Sequence, residues 1–492
     1  MSKKYPGHRP QNCRLYITTP IYYANGLPHI GHFLTTTTCD ILARHYRQKL
    51  GKNNVFFTTG LDEHGTTVEQ SANKEGFNGK YQEYVDQKAK IWQESFANAQ
   101  ISFNYFVRTT NNKHEDFAKN FIKKLIKNGD VYKNTYKGKY CTGCEKFLTL
   151  SDLDKNGLCP FHRKDQVIET EEENYFFKLS KYQERLIQLI KEDKIKINPS
   201  NKKNEILARL QDGVEDVSIS RPKDKVSWGI AFPDDSTQTI YVWVEALLNY
   251  LSSLEINNKQ AFWKDSIHVL GKDISWFHNV IWPAILLSAN HKLYKESFVH
   301  SFLLISGSKI SKSRGNIITP EDLIKKFGVD GARYLILSSY PYKNDSDISW
   351  EHLEKKYNAD LANGLGNLVA RVAKLSEKNS LVLSNKTIKD NGLIEQTGEF
   401  VETYRFNKAL TLIWQKISDL DKYLNIQEPW KKDKDDANNI LQNVILGNKN
   451  LSGILEVTKC LEIFMPNTAN LIIDHFSNSK IHSIKPLFPR TK

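Results

Sequence analysis

Apolar and β-branched residues come in short runs between polar loops over the first part of the chain, and in helical periods towards its end. LYITTP, residues 15–20, has the pattern of a buried strand. CDILARHYRQKL then reads as a helix that stops at Gly51. A second apolar run, VFFTTGLDEHG, ends in a polar loop, so the opening segment predicts a βαβ-like unit and a parallel sheet with crossover helices. From about Lys113 the pattern changes to mixed helix and short strands around a cysteine cluster. The strand-like runs TIYVWV, SIHVLG and SFLLIS resume the α/β pattern as far as Gly315. A sheet interrupted by an insertion fits this order better than two independent domains. Thr319, Pro320 and Asp322 predict a helix N-cap, an N1 proline and a capping-box acid. Beyond about Trp350 the strand signal fades, and DLANGLGNLVARVAKL and KALTLIWQKISDLDKYL predict an α-helical bundle.

Composition adds boundaries to this picture. A chain of 492 residues is long enough for two to four domains with their own cores. No run of about 18 uncharged apolar residues occurs, so no membrane span is expected. The opening MSKKYPGHRPQNC lacks the apolar stretch of a secretory signal, and six cysteines suit a reducing compartment better than a disulfide scaffold. A cytoplasmic protein is expected. The net charge of +13 is compatible with a polyanionic partner. A general richness in Lys, Asn, Ile, Phe and Tyr explains it equally well, so charge alone decides nothing.

Three clusters carry candidate chemistry. His29-Ile30-Gly31-His32 falls where a strand hands over to a helix N-terminus, with Asn25 and Gly26 forming a turn upstream. Outward-pointing N–H groups and the helix dipole make that a place for an anion, and two imidazoles add donors. The plainer alternative is a pair of structural histidines. The stretch GSKISKSRGN, residues 307–316, sets Lys309 and Lys312 among hydroxyls, including Ser311, between glycines, as a loop that closes over a triphosphate would. Taken alone it is a solvated surface loop. Cys141-x2-Cys144, then fourteen residues, then Cys159-Pro-Phe-His162, has the spacing of a closed tetrahedral Cys3His zinc site. Four protein ligands leave no position for an activated water, so one structural Zn2+ is expected. Cys13, Cys39 and Cys460 have no motif partners.

HIGH at residues 29–32 followed by KISKS at 309–313 resembles the signature pair of class I aminoacyl-tRNA synthetases. The resemblance implies that His29, His32, Lys309 and Lys312 bind ATP and stabilise attack of an amino-acid carboxylate on the α-phosphate, with Gly31 and Ser311 in the same ATP site. Ile310 stands where that family more often has Met. PIYYANG, GLDEHG, YVWVEALLNY and GKDISWFH resemble segments of the methionyl-tRNA synthetase family. By that resemblance Asp62 would hold the substrate ammonium, and Tyr23, Trp243, Ala246, Tyr250, Ile274 and His278 would line a methionine pocket. Rings suit a polarizable thioether; by composition alone the same aromatics would simply be core. Glu245 stands where many relatives have Asp.

The same zinc knuckle occurs in one bacterial-type branch of that family. Asn367, Arg371 and Trp430 resemble its anticodon-reading residues, with side chains suited to base edges and stacking. The expected organisation is therefore a Rossmann-type catalytic domain over residues 1–115 and 231–320. A zinc-bearing connective insertion would occupy 116–230, a linker and stem-contact region 321–350, and an α-helical anticodon-binding domain 351–492. The implied partners are methionine, ATP with Mg2+, and tRNA(Met), with no membrane. A monomer is expected, because the chain ends soon after the bundle without a further tRNA-binding module. A smaller nucleotidyltransferase with a HIGH motif would lack the bundle residues and the insertion, and a non-catalytic paralogue would not need both lysines and both histidines.

Overall fold

The computed structural model describes residues 13–141, 146–148, 153–159, 167–305, 308–309, 318–340, 342, 344–383 and 387–491. Among the described residues the organising element is a six-stranded sheet. Its first strands are β1 (Leu15–Tyr23), β2 (Val55–Asp62) and β3 (Tyr105–Arg108). The order across the sheet is β3, β2, β1, then Asp265–Gly271, Glu296–His300 and Lys196–Asn198, with every pairing parallel. All eight residues of β2 are buried, as expected of a strand covered on both faces. The last of these strands, Lys196–Asn198, comes from within the span read above as the connective insertion.

The chain leaves β1 for β2 and β3 on one side and returns on the other side as Asp265–Gly271. That reversal beside β1 opens a crevice at the carboxyl ends of the strands, the place where open parallel sheets take ligands. One apolar core lies on the side of the sheet carrying α1 (Ile30–Leu50) and continues into the C-terminal helices. The other packs the opposite side with Phe121, Leu247 and Trp282.

Two runs taken for sheet strands are placed differently. In TIYVWV the strand ends at Ile240 and a helix, Val242–Ile256, starts two residues later. The strand Asp235–Ile240 pairs antiparallel with Ser220–Pro222 and Ala231–Phe232, outside the central sheet. Burial on all sides removes the alternation that separates a short strand from a helix start. Instead of SFLLIS, the central strand is the preceding ESFVH, Glu296–His300, and Leu303–Ile305 joins a small sheet with Ser308–Lys309 and Ser346–Asp347. The break is made at Ser301, whose N–H bonds to the Tyr342 carbonyl.

The capping box at Thr319 is present: Thr319 Oγ1 accepts from the Asp322 N–H at 3.1 Å and the Asp322 carboxylate accepts from the Thr319 N–H at 3.0 Å. The helix that follows, Pro320–Ser338, carries the fully buried Arg333. Arg333 donates to Asp40 on α1 at 2.6 Å and to the carbonyls of Ala99, Ile463 and Phe464. Asp40 also accepts from Arg44 and from Ser102. Burial works against the Asp40 carboxylate, but the two guanidiniums outweigh it and hold its pKa below the ordinary value. Nearer its C-terminus α1 meets the helix Leu393–Glu402, where Glu402 accepts from His45 at 2.9 Å and from Lys49 at 2.5 Å. No helix among the described residues is long and apolar enough to cross a membrane.

Removing Arg333 leaves a charged Asp40 in the core with only Arg44 and Ser102. Arg333→Met is therefore expected to cost about 3–5 kcal/mol in urea unfolding, and Asp40→Leu/Arg333→Met less than that single change. A double variant that loses the sum of the two singles would contradict the pairing.

Candidate active site

The carboxyl ends of β1 and β2 come together at Tyr23 and Asp62, which are register partners. Beyond Tyr23 the chain turns through Asn25 and Gly26 and enters α1 with His29 as its N-cap. The sequence suggested unclaimed N–H groups at this helix start. Instead the two imidazoles take them: His29 Nδ1 accepts from the Gly31 N–H at 3.0 Å, and His32 Nδ1 accepts from the His29 N–H at 3.2 Å. A neutral ring that accepts at Nδ1 carries its proton on Nε2, so both histidines are fixed as Nε2–H donors. The rings stack with centroids 3.6 Å apart, and His32 is packed further by Tyr22 and Trp92. A Cβ on Gly31 would stand 2.9 Å from His29 Cε1, so only glycine leaves room for the cap. The Ile30 N–H donates to the Ile318 carbonyl at 2.8 Å, which joins this helix start to a residue five positions beyond KISKS.

Against Tyr23 packs the aromatic group on the helix Val242–Ile256. Trp243, Ala246 and Tyr250 share one face of it by spacing. Trp243 meets Tyr23 edge-on at 5.9 Å and stacks on Phe277 at 4.4 Å. Tyr250 O–H donates to His278 Nε2 at 2.7 Å, and His278 Nδ1–H donates to the Ile274 carbonyl at 2.9 Å. Burial pushes the His278 pKa from 6.5 down to about 4 and the Tyr250 phenol far up, so both are neutral. The structure thus brings Tyr23, Asp62, Trp243, Ala246, Tyr250, Ile274 and His278 to one end of the sheet.

The loop after β2 is pinned from several sides by residues that carry no short motif. Glu63 accepts from Arg108 at 2.6 Å and from Thr110 at 2.5 Å, while its carbonyl accepts from Trp228 Nε1 at 2.6 Å. His64 Nδ1 donates to Glu245 Oε1 at 2.8 Å, and His114 Nε2 donates to Glu245 Oε2 at 2.9 Å. Burial opposes charge on both Glu245 and His64, yet each outweighs that for the other: the Glu245 pKa lies below its ordinary value and that of His64 above. Motif reading left Trp92 and His114 unmarked, and it placed Glu245 and His64 inside family-like segments without giving either a role. The one hint was the unusual density of ionisable residues in apolar surroundings.

The remaining candidates lie elsewhere. Lys309 belongs to the short strand Ser308–Lys309, and Ser311 and Lys312 lie outside the described residues. Cys141 and Cys159 are buried together with Leu148 in a small cluster of their own, while Cys144 and His162 lie outside the described residues. In the bundle, Asn367 and Arg371 are one turn apart on the helix Asn367–Lys378, and the Arg371 guanidinium lies 4.8 Å from the centre of the Trp430 ring. Trp430 is 38% exposed, which leaves part of its ring open to solvent.

The sequence matches the family described as tRNA synthetases class I (M) over residues 15–171 and 162–373. The chain belongs to the class I tRNA synthetases. Methionine–tRNA ligase of Thermotoga maritima is 38% identical over 484 residues, spanning 94% of this chain and 75% of the relative. That of Campylobacter jejuni is 36% identical, over 97% of this chain and 80% of its own length. The fold superposes with a TM-score of 0.86 and 30% identity on Mycobacterium tuberculosis methionyl-tRNA synthetase in complex with methionyl-adenylate, covering 97% of this chain and 99% of that one. Within the class, the branch is that of the methionine–tRNA ligases.

Because the buried His278 ring takes a proton only near pH 4, whereas an unfolded one does so near 6.5, folding loses stability as pH falls between those values. Wild type should lose about 2 kcal/mol more than His278→Gln between pH 7 and pH 5 in urea titrations, the difference between the curves isolating this ring. Parallel curves would place the ring's titration elsewhere.

Proposed function

We propose that this methionine–tRNA ligase activates methionine on the ledge formed by the carboxyl ends of β1, β2 and Asp265–Gly271. Asp62 holds the substrate ammonium, and Tyr23, Trp243, Ala246, Tyr250, Ile274 and His278 enclose the thioether. A methionine carboxylate oxygen attacks the α-phosphorus of ATP, the bond to the bridging oxygen breaks, and pyrophosphate leaves methionyl-adenylate. His29 and His32, as Nε2–H donors beside Gly31, and Lys309 and Lys312 with Ser311, stabilise the charge that grows on the phosphates. Mg2+ enters with ATP through its phosphates. The tRNA 3′ end then attacks the carbonyl carbon and releases AMP. No covalent enzyme intermediate is required, and catalysis is positioning plus electrostatic stabilisation.

The observation that supports this reading is the bond from Ile30 N–H to the Ile318 carbonyl, which ties the histidine end of α1 to a residue six positions after Lys312 in the chain. Asn367, Arg371 and Trp430 read the anticodon of tRNA(Met). Cys141 and Cys159, buried in one small cluster, fit two ligands of the structural zinc that Cys144 and His162 would complete.

Purified protein should catalyse ATP–pyrophosphate exchange with methionine and with none of the other standard amino acids. Trp430→Ala should leave that exchange intact while weakening tRNA charging, in line with a stacking loss of about 1–3 kcal/mol. Equal loss in both assays would argue against an anticodon role. Elemental analysis should find about one zinc per chain, and a folded, active, metal-free protein would remove the zinc from the description.

A further inference from the structure

We propose that Glu245 is a positioning residue for amino-acid binding: it fixes where Asp62 stands relative to the wall of the methionine pocket. The inference rests on the reading above, in which Asp62 takes the ammonium.

Glu245 is fully buried, and both of its oxygens are engaged, one by His64 and one by His114. His64 is two residues from Asp62 on the loop that closes β2. Glu245 itself lies between Trp243 and Ala246 on the helix that supplies the aromatic wall. One carboxylate therefore couples the arm expected to hold the ammonium to the wall expected to hold the side chain. His114, on the helix Asn112–Lys127, supplies a third point, and its Nδ1 is held by Ser252 Oγ at 2.8 Å. On the loop's other side, Glu63 is fixed by Arg108 and Thr110.

Three ionisable side chains occupy a volume that apolar residues would fill at lower cost. Buried ion pairs contribute little net stability but fix geometry closely. Holding a binding group within about 0.5 Å of its productive place requires such support from behind. The span from ammonium to thioether is a fixed length in methionine, so the distance from Asp62 to Trp243 and Tyr250 is what the pocket has to keep constant.

The test uses the full chain in methionine-dependent pyrophosphate exchange. Glu245→Gln keeps the volume but offers one imidazole an amide that cannot accept from it. The KM for methionine should rise at least about tenfold while the KM for ATP stays within about twofold. Methioninol keeps both ammonium and thioether, and its inhibition constant should rise in step. 4-(Methylthio)butanoate lacks the ammonium, and its inhibition constant should not move. Should Glu245→Gln fail to fold, Glu245→Asp keeps both acceptors but draws them back by one methylene, and the same pattern is expected in smaller degree. An unchanged methionine KM, or equal weakening of the two inhibitors, overturns the proposal. Absence of methionine-dependent exchange in the wild type would instead overturn the underlying reading.

Discussion

A carboxylate in the middle of a fully buried helical turn has to be answered by a cation or it cannot stay charged, and in α1 the answer comes from another layer of the molecule. Arg333 reaches Asp40 and spends its other donors on the carbonyls of Ala99, Ile463 and Phe464. One guanidinium thus holds together the helix capped by His29, the C-terminal end of the helix Tyr81–Asn98, and the C-terminal helices. Glu402, with His45 and Lys49, repeats the connection nearer the C-terminal end of α1. At the opposite end Ile318 holds the Ile30 N–H. The position of the two histidines is therefore set by contacts along the whole length of α1, and only partly by the loop that precedes them. Replacing the pair by apolar side chains of similar size need not weaken the fold, so its consequence is the fixed seat of the helix.

The parts of this architecture that were legible in the sequence are those set by neighbours in the chain. Thr319 and Asp322 announced their capping box, Gly51 marked the end of α1, and LYITTP marked the first strand. Legibility failed where burial was uniform. TIYVWV is apolar through a strand end and a helix start alike, and no period distinguishes the two. The cap at His29 was missed for a different reason: Ser, Thr, Asp and Asn are the usual N-caps, and an imidazole accepting at Nδ1 does the same work without their signature. The polar network behind the site was beyond reach altogether. Glu245 finds its partners 181 and 131 residues away, and nothing local to YVWVEALLNY indicates them.

Under the proposed assignment, the aromatic pocket would derive its selectivity from protons already committed. Tyr250 has one, given to His278; His278 has one, given to Ile274. Burial keeps the first ring from ionising and the second from charging. A side chain that brings a charge would have to lose its water against two neutral groups, which costs several kcal/mol without a matching partner. A thioether brings almost no hydration to lose and gains from the faces and edges of Trp243, Tyr23 and Tyr250. Under the proposed assignment the pocket discriminates by withholding partners from polar competitors more than by grasping the sulfur.

The loop that follows β2 presents the opposite problem, since it carries carboxylates at both position 62 and position 63 and faces a third at 245. Were all three available, a substrate ammonium would have several seats and no fixed pose. Glu63 is consumed by Arg108 and Thr110, and Glu245 by His64 and His114. Both carboxylates are themselves buried and have both oxygens engaged, so neither competes for an incoming cation. The backbone of the loop is meanwhile held by Trp228, which donates to the Glu63 carbonyl and accepts from the Gly65 N–H. Ordering a binding loop before the ligand arrives removes that entropy from the cost of binding. Under the proposed assignment of the substrate ammonium to Asp62, neither Glu63 nor Glu245 offers a competing seat.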